Sequence, residues 1–257
     1  MFGNSSPKPN KAIKNRPHKT KSWAGLANAR LLLRRYTLRR VMRFFYIFLT
    51  ILVSACSTTQ QNESTAKIDY EKYDTRYNDL ISIVKDIASQ EQFMELREAY
   101  VFTSHYKPYL SPERALSSVM FEALNNKNWN ECLEKSNEIL DFNYISLSAH
   151  YGAMACSFES GESKQGDYHK YVLNNLLDAI WATGDGKSIE TAFYCTSTPE
   201  LQSFIQLHGL ETIDQALIHH EGKAYDLMGV KDPKEDKEFK WYFDITSQWA
   251  LGFKGLE

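Results

Sequence analysis

The sequence predicts an α+β domain, with helical hairpins through its first two-thirds and a small C-terminal antiparallel β-sheet. Three observations predict it. Apolar residues recur every three to four positions from Tyr73 to Thr183. The period then changes to two, where Phe239, Trp241, Phe243 and Ile245 alternate with Lys240, Tyr242 and Asp244. Between these regions Glu221-Gly222 and Asp232-Pro233 supply turn signals. Helices followed by strands, without βαβ alternation, read as helices packed on one side of an antiparallel sheet.

Taken in order, Tyr73, Tyr77, Leu80, Ile81, Val84 and Ala88 form the stripe of a first helix. A second covers Gln92 to Thr103. Ser111-Pro112 reads as an N-cap followed by Pro at the first helical position, opening a helix that carries Leu116, Val119, Met120 and Leu124. Trp129, Cys132, Leu133, Ser136, Ile139 and Leu140 mark the next. Two more follow at Leu147 to Phe158 and Tyr168 to Thr183, the last stopped by Gly184 as a glycine C-cap. Ile189 to Thr196, rich in Thr and aromatics, reads as a strand. Thr198-Pro199 starts a short helix with Leu201, Phe204 and Ile205, ending before Gly209. Ile213 to His220 and Lys223 to Lys231 form a hairpin about Glu221-Gly222, and the final strand follows the charged run after Pro233.

Residues 127–183 resemble a tetratricopeptide-type helix pair plus a third helix. Trp129, Leu133 and Leu140 stand where that repeat puts its first-helix knobs, and Ala149, Gly152 and Ala155 supply the small residues of the second helix. No second copy occurs at the expected period of about 34 residues, so the reading is an isolated hairpin and not a solenoid.

The chain divides into three parts. Residues 1–55 combine a basic extension with a secretory signal. Phe44 to Val53 is an apolar run preceded by basic residues, and Val53-Ser54-Ala55-Cys56 reads as a lipobox. From Phe44 to Ala55 there are twelve residues, whereas a membrane span needs about 20. The expected product starts at a lipidated Cys56, carried on the periplasmic face of a bacterial envelope membrane. Ser57, in place of an Asp that would retain the protein at the inner membrane in enteric-type bacteria, favours the outer one. Residues 1–43 hold twelve Lys or Arg and no acid. Translation from Met42 would give a compact signal; a twin-arginine motif at Arg34-Arg35 and a nucleic-acid-binding arm are the other accounts of the extension. Residues 56–67 form the lipidated Cys and a polar tether. Residues 68–257 form one domain, helical over 68–184 and mixed over 185–257.

After Cys56 there are 18 Lys or Arg and all 32 acids, so this part carries about −14. Such a surface repels nucleic acid and anionic headgroups. Cys132, Cys156 and Cys195 remain beyond the anchor, an odd number for an oxidising compartment. The favoured reading is three buried thiols acting as small apolar residues. The alternative is one disulfide, best made by Cys132 and Cys156 if their helices are adjacent, plus a free thiol.

Few motifs carry chemistry. Gly184-Asp185-Gly186-Lys187-Ser188 is not a phosphate loop, because Trp181 stands where the pattern needs Gly and a helix precedes it instead of a strand. It remains the candidate functional turn, with Asp185, Ser188 and Glu190. His219-His220 on a strand would face opposite ways, and His105, His150 and His169 are isolated in sequence, so no metal site and no cofactor are expected. Tyr144, Tyr151 and Tyr168 form the candidate binding groove, since Tyr offers contact area plus a hydroxyl.

Four segments, REAYVFTSHYKPYLSPER, WNECLEKSNEILDFNYISLSAHYGAMA, LLDAIWATGDGKSIETAFYCTSTPE and KWYFDI, together resemble a bacterial envelope family called domain of unknown function 4919. They span about Arg97 to Ile245. The resemblance implies a shared fold in a secreted or lipid-anchored protein and brings no catalytic residues with it. The expected function is a non-catalytic binding or assembly module engaging a protein or peptide. The alternatives are an envelope-polymer hydrolase acting at the 184–190 turn and an immunity-type lipoprotein that neutralises a toxin.

Overall fold

The computed structural model describes residues 68–252. Cys56, the signal, the basic extension and the tether over 57–67 lie outside the described residues. Six helices come first: α1 (Tyr70–Val84), α2 (Gln90–Tyr100), α3 (Glu113–Asn125), α4 (Trp129–Phe142), α5 (Leu147–Glu159) and α6 (Ser163–Trp181). Then follow β1 (Phe193–Tyr194), α7 (Thr198–Leu207), β2 (Glu211–His220), β3 (Lys223–Asp232), β4 (Lys237–Asp244) and α8 (Thr246–Leu251). The α+β reading holds. Among the described residues no helix is long and apolar enough to cross a membrane.

Side-chain caps set most helix starts. The Ser89 hydroxyl accepts from Gln92 N at 3.4 Å while Gln92 Oε1 accepts from Ser89 N at 2.8 Å. That capping box starts α2 two residues before the predicted Gln92 and leaves residues 85–88, which the apolar stripe had assigned to α1, as the connecting turn. Pro112, not Ser111, is the N-cap residue of α3, and no side chain caps this helix; Ser111 Oγ, one residue further out, accepts from Glu113 N at 3.1 Å. Helix α6 starts at Ser163, five residues before the predicted Tyr168.

Helices α3, α4 and α5 enclose a small core of Met120, Ala123, Cys132, Ile139, Ala149 and Cys156. Gly152 makes the close approach possible: a Cβ there would strike the Met120 thioether and lie 3.0 Å from Ser136 Oγ. A disulfide joins Cys132 of α4 to Cys156 of α5, with Cα atoms 6.3 Å apart. The reading of three buried thiols is thereby corrected; only Cys195 stays free among the described cysteines. The geometric condition for the pair, adjacent helices, is met by the short α4–α5 connection.

The sheet has the order β1-β4-β3-β2. The hairpin turn is as predicted, with φ of 49° at Glu221 and 79° at Gly222, the positive values a two-residue loop needs. Two expectations change. The strand is confined to Phe193–Tyr194, and β1 runs parallel to β4, so the sheet is mixed. The cause lies in residues 185–191, where Asp185 N and Gly186 N both donate to Thr191 O and close a loop instead of a strand. Gly184 is not the helix cap, since α6 ends at Trp181 with Ala182 in the helical region. Glycine is needed at 184 because a Cβ would run into the Thr191 carbonyl.

The main core lies between the sheet and the helices. Phe193, Phe204 and Phe243 are fully buried, and Trp181 and Trp241 stand edge-on to Phe193 at 4.9 and 5.4 Å. This cluster welds the end of α6, helix α7 and strands β1 and β4 together.

Candidate functional site

A cleft of about 320 Å³ opens between α3, α5 and α7, lined by Phe121, Ser148, Tyr151, Ser203, Gln206 and Leu207. Phe121 and Tyr151 form its aromatic wall, their rings 6.2 Å apart. Its size is at the small end of ligand pockets, and an apolar wall with a few hydroxyl and amide groups is the composition such pockets use.

A chain of hydroxyls runs from the cleft into the protein. Ser148 Oγ is 3.2 Å from Ser117 Oγ and 3.1 Å from Ser146 Oγ. Ser146 donates to Glu113 Oε1 at 2.6 Å, and Asn143 Nδ2 donates to Glu113 Oε2 at 2.8 Å. Because the Ser146 proton goes to the carboxylate, Ser148 donates to Ser146 in turn. Local sequence explains the placement. Ser146 is the N-cap of α5, accepting from Ala149 N at 3.3 Å, and Glu113 is the first residue of α3. Glu113 is 5% exposed, and burial raises its pKa while the Ser146 and Asn143 bonds oppose the shift. Asn143 Oδ1 is buried with no hydrogen-bond partner.

A second polar cluster joins α5 and α6. His150 Nε2 lies 2.8 Å from the Tyr144 carbonyl and must donate to it, so the neutral His150 ring accepts at Nδ1 from His169 Nδ1, 3.0 Å away. Burial lowers the pKa of His150 to about 3, helped by the neighbouring His169, and that of His169 to about 4. The Tyr144 and Tyr168 hydroxyls share a hydrogen bond beside this pair, and Tyr77 Oη accepts from Tyr144 N at 3.0 Å. Among the described residues no three of His, Cys, Asp and Glu come together as a metal ion would require.

The family model for a domain of unknown function, DUF4919, matches residues 59–250. The chain belongs to the DUF4919 family. No curated protein and no solved structure matched it. The match spans every element from α1 to β4 of this DUF4919 domain.

The sequence-predicted residues of the DUF4919 domain fall in separate places. Tyr144 and Tyr168 meet through their hydroxyls, whereas Tyr151 lines the α3–α5–α7 cleft, so the three do not form one groove. Asp185 holds its own turn: its carboxylate accepts from Lys187 N at 3.1 Å, Lys187 Nζ at 2.8 Å and Thr191 Oγ1 at 2.7 Å. The Lys187 and Thr191 bonds keep its pKa well below the usual carboxylate range. Ser188 Oγ lies 3.2 Å from Thr191 Oγ1, and Glu190 is exposed. Cys56 lies outside the described residues.

Sequence reasoning missed the Glu113, Ser146 and Ser148 chain. Ser111-Pro112-Glu113 reads as an ordinary helix start with an acid in its first turn, and nothing local reveals that the acid is buried. The His150–His169 pair was legible in principle. The two residues lie at comparable distances from the α5–α6 connection, and folding that hairpin sets them side by side.

Proposed function

We propose that this protein is a bacterial envelope lipoprotein, anchored at Cys56, whose DUF4919 domain acts as a binding or assembly module. Its partner is a protein or peptide, engaged at the cleft between α3, α5 and α7. The observation that carries the binding reading is the cleft itself, with Phe121 and Tyr151 as an aromatic wall and Ser148, Ser203 and Gln206 as hydrogen-bonding groups. Such a surface suits an extended peptide, whose side chains stack on rings while its amides meet hydroxyls. Three further points support the envelope location. An apolar run and small residues lead to Cys56. The family match begins three residues beyond that Cys. The Cys132–Cys156 disulfide suits an oxidising compartment. The strongly acidic charge disfavours nucleic acid as a partner.

The anchor is tested by the N-terminal peptide of the membrane-extracted protein, expected to start at an acylated Cys56. The cleft is tested by placing a benzophenone-bearing phenylalanine analogue at position 151 of the full chain in cells, and separately at the exposed turn position 187. A discrete adduct from 151 and none from 187 is the expected result. Equal labelling from both, labelling from 187 alone, or none from either overturns the cleft as the binding site.

A further inference from the structure

Strand β2 forms one edge of the sheet, and nine of its ten residues are exposed. Ten residues is long for an edge strand. Natural edges are commonly shielded by Lys, Pro, a bulge or a covering segment. The stretch from Asp214 to His220 contains neither Lys nor Pro, its one irregularity lies ahead of it between Thr212 and Asp214, and no strand pairs with its outer side among the described residues. It also exposes apolar area, with Leu217 at 47%.

The register of the edge follows from the hairpin. His220 pairs with Lys223 directly across the two-residue turn, so these two exchange backbone hydrogen bonds. Bonding to β3 then falls on positions 220, 218, 216 and 214. The N–H and C=O groups of Gln215, Leu217 and His219 point away from β3, toward the open side. An antiparallel strand added there pairs outward-pointing residues with outward-pointing residues. When the added strand is β2 of another molecule, a twofold axis through Leu217 satisfies that condition over the whole regular stretch. Leu217 then faces Leu217 of the second copy, Ile218 faces Ala216, His219 faces Gln215, and His220 faces Asp214.

The side chains are complementary in this register. Asp214, Ala216, Ile218 and His220 share one face of the strand. The Asp214 carboxylate lies over Gly229 of β3, and a rotation about its side-chain bonds brings it to the imidazole N–H of the second copy, while each large Ile lies against a small Ala. No like charges meet. We propose that β2 is a homodimer edge, and that two copies join antiparallel about Leu217 into one continuous eight-stranded sheet, twice the four strands of one chain. The proposal stands apart from the cleft, which belongs to α3, α5 and α7.

The test is disulfide trapping in the full chain, in its native membranes under mild oxidation. Paired Cα atoms across a hydrogen-bonded antiparallel site lie about 5.5 Å apart, within disulfide range. Leu217→Cys is expected to give a reducible dimer. Gln215→Cys and His219→Cys are each expected to stay monomeric alone, because their copies are offset along the strand, and to cross-link with each other when co-expressed. Leu217 is exposed, so Leu217→Cys should keep the parent melting temperature. His219 packs on Trp249 and Gln215 bonds to Asp226, so their Cys variants are read only where they melt like the parent; if Leu217→Cys does not, the mixed pair carries the test. Asp214→Lys, which sets a cation opposite His220, should weaken the dimer about tenfold by sedimentation, through two equivalent sites. Failure of Leu217→Cys to cross-link in a folded chain overturns the proposal, as does indiscriminate cross-linking at all three positions. A folded monomer of the Leu217→Cys variant whose new thiol traps an extended segment of another protein also overturns it, by showing a different occupant of the edge.

Discussion

Arg97 of α2 and Glu200 of α7 form a buried two-pronged ion pair across 103 residues of sequence. Arg97 Nε donates to Glu200 Oε1 at 2.9 Å and Nη2 donates to Oε2 at 3.1 Å, with both residues at most 5% exposed. Further bonds tie both side chains to their surroundings. Nη2 also donates to Tyr194 O at 2.7 Å, and Glu200 Oε2 accepts from Thr196 N at 2.6 Å and Thr196 Oγ1 at 3.0 Å. Tyr106 Oη fastens the same strand exit by donating to Thr196 O at 2.6 Å. The pair thus fixes the β1–α7 connection against the helical layer.

Removing one partner should be expensive, because it strands a buried charge. Arg97→Met or Glu200→Met is expected to lower stability by roughly 3–5 kcal/mol, read from urea unfolding. The double variant should lose much less than the sum of the two, since neither charge is then left alone. Additive losses would show that the two groups act independently.

The pair also marks where sequence reading stops. Helices α4 and α5 were legible because their apolar spacing and short connection report on neighbours within one hairpin. The β2–β3 hairpin was legible because Glu221-Gly222 is a local signal. Arg97 and Glu200 gave no such signal: each sits on a helix where a charge ordinarily faces water, and their meeting depends on how the sheet docks. Phe193–Tyr194 was over-read as a long strand because Thr and aromatics favour extended backbone, whereas the Asp185 turn competes for the preceding residues and wins. In the cleft, Tyr151 was legible as an aromatic on a helix. The polar chain behind Ser148 was not, because Ser146 and Glu113 are ordinary helix-start residues until tertiary packing buries them.

The Cys132–Cys156 disulfide closes a short loop, the cysteines standing 24 positions apart in sequence. Loop-closure entropy assigns a cross-link of that span about 3 kcal/mol. Cys132→Ala/Cys156→Ala is expected to unfold at lower urea and to lose all sensitivity to reductant, while the parent chain shifts toward the variant when reduced. A parent chain indifferent to reductant would mean that the bond does not form or does not stabilise.

The His150–His169 pair predicts an acid-sensitive fold. Burial lowers the two pKa values from 6.5 to about 3 and about 4. Between those values and 6.5 the unfolded chain binds protons that the native chain does not, so stability falls as pH drops below 6.5 and is level above about 7. At pH 5 each ring contributes a loss of roughly 2 kcal/mol. His169→Asn retains a donor toward His150 Nδ1 and removes one titrating ring, so the stability difference between about pH 7.5 and about pH 5 should roughly halve. Equal unfolding midpoints at the two pH values would sink this account.

Glu113 offers the sharpest separation of charge from hydrogen bonding. Its carboxylate is buried on Ser146 and Asn143, and burial makes the ionised form costly. Gln at this position keeps an oxygen to accept from Ser146. Its amide nitrogen would meet the Asn143 nitrogen, but Asn143 Oδ1 is buried without a partner. Turning the Asn143 amide over presents that oxygen to the new donor and satisfies both groups. Glu113→Gln is therefore expected to fall within about 1 kcal/mol of the parent. Glu113→Ala leaves Ser146 and Asn143 without their acceptor in a buried site and should cost roughly 2–4 kcal/mol. Its effect should extend to the cleft, because Ser146 would be free to turn toward Ser148 and change the hydroxyl presented there. Benzophenone labelling at position 151 then drops in the Ala variant and persists in the Gln variant. If both variants lose labelling while remaining folded, the Ser146 hydrogen bond is not what couples Glu113 to the cleft, and the account through the hydroxyl chain fails.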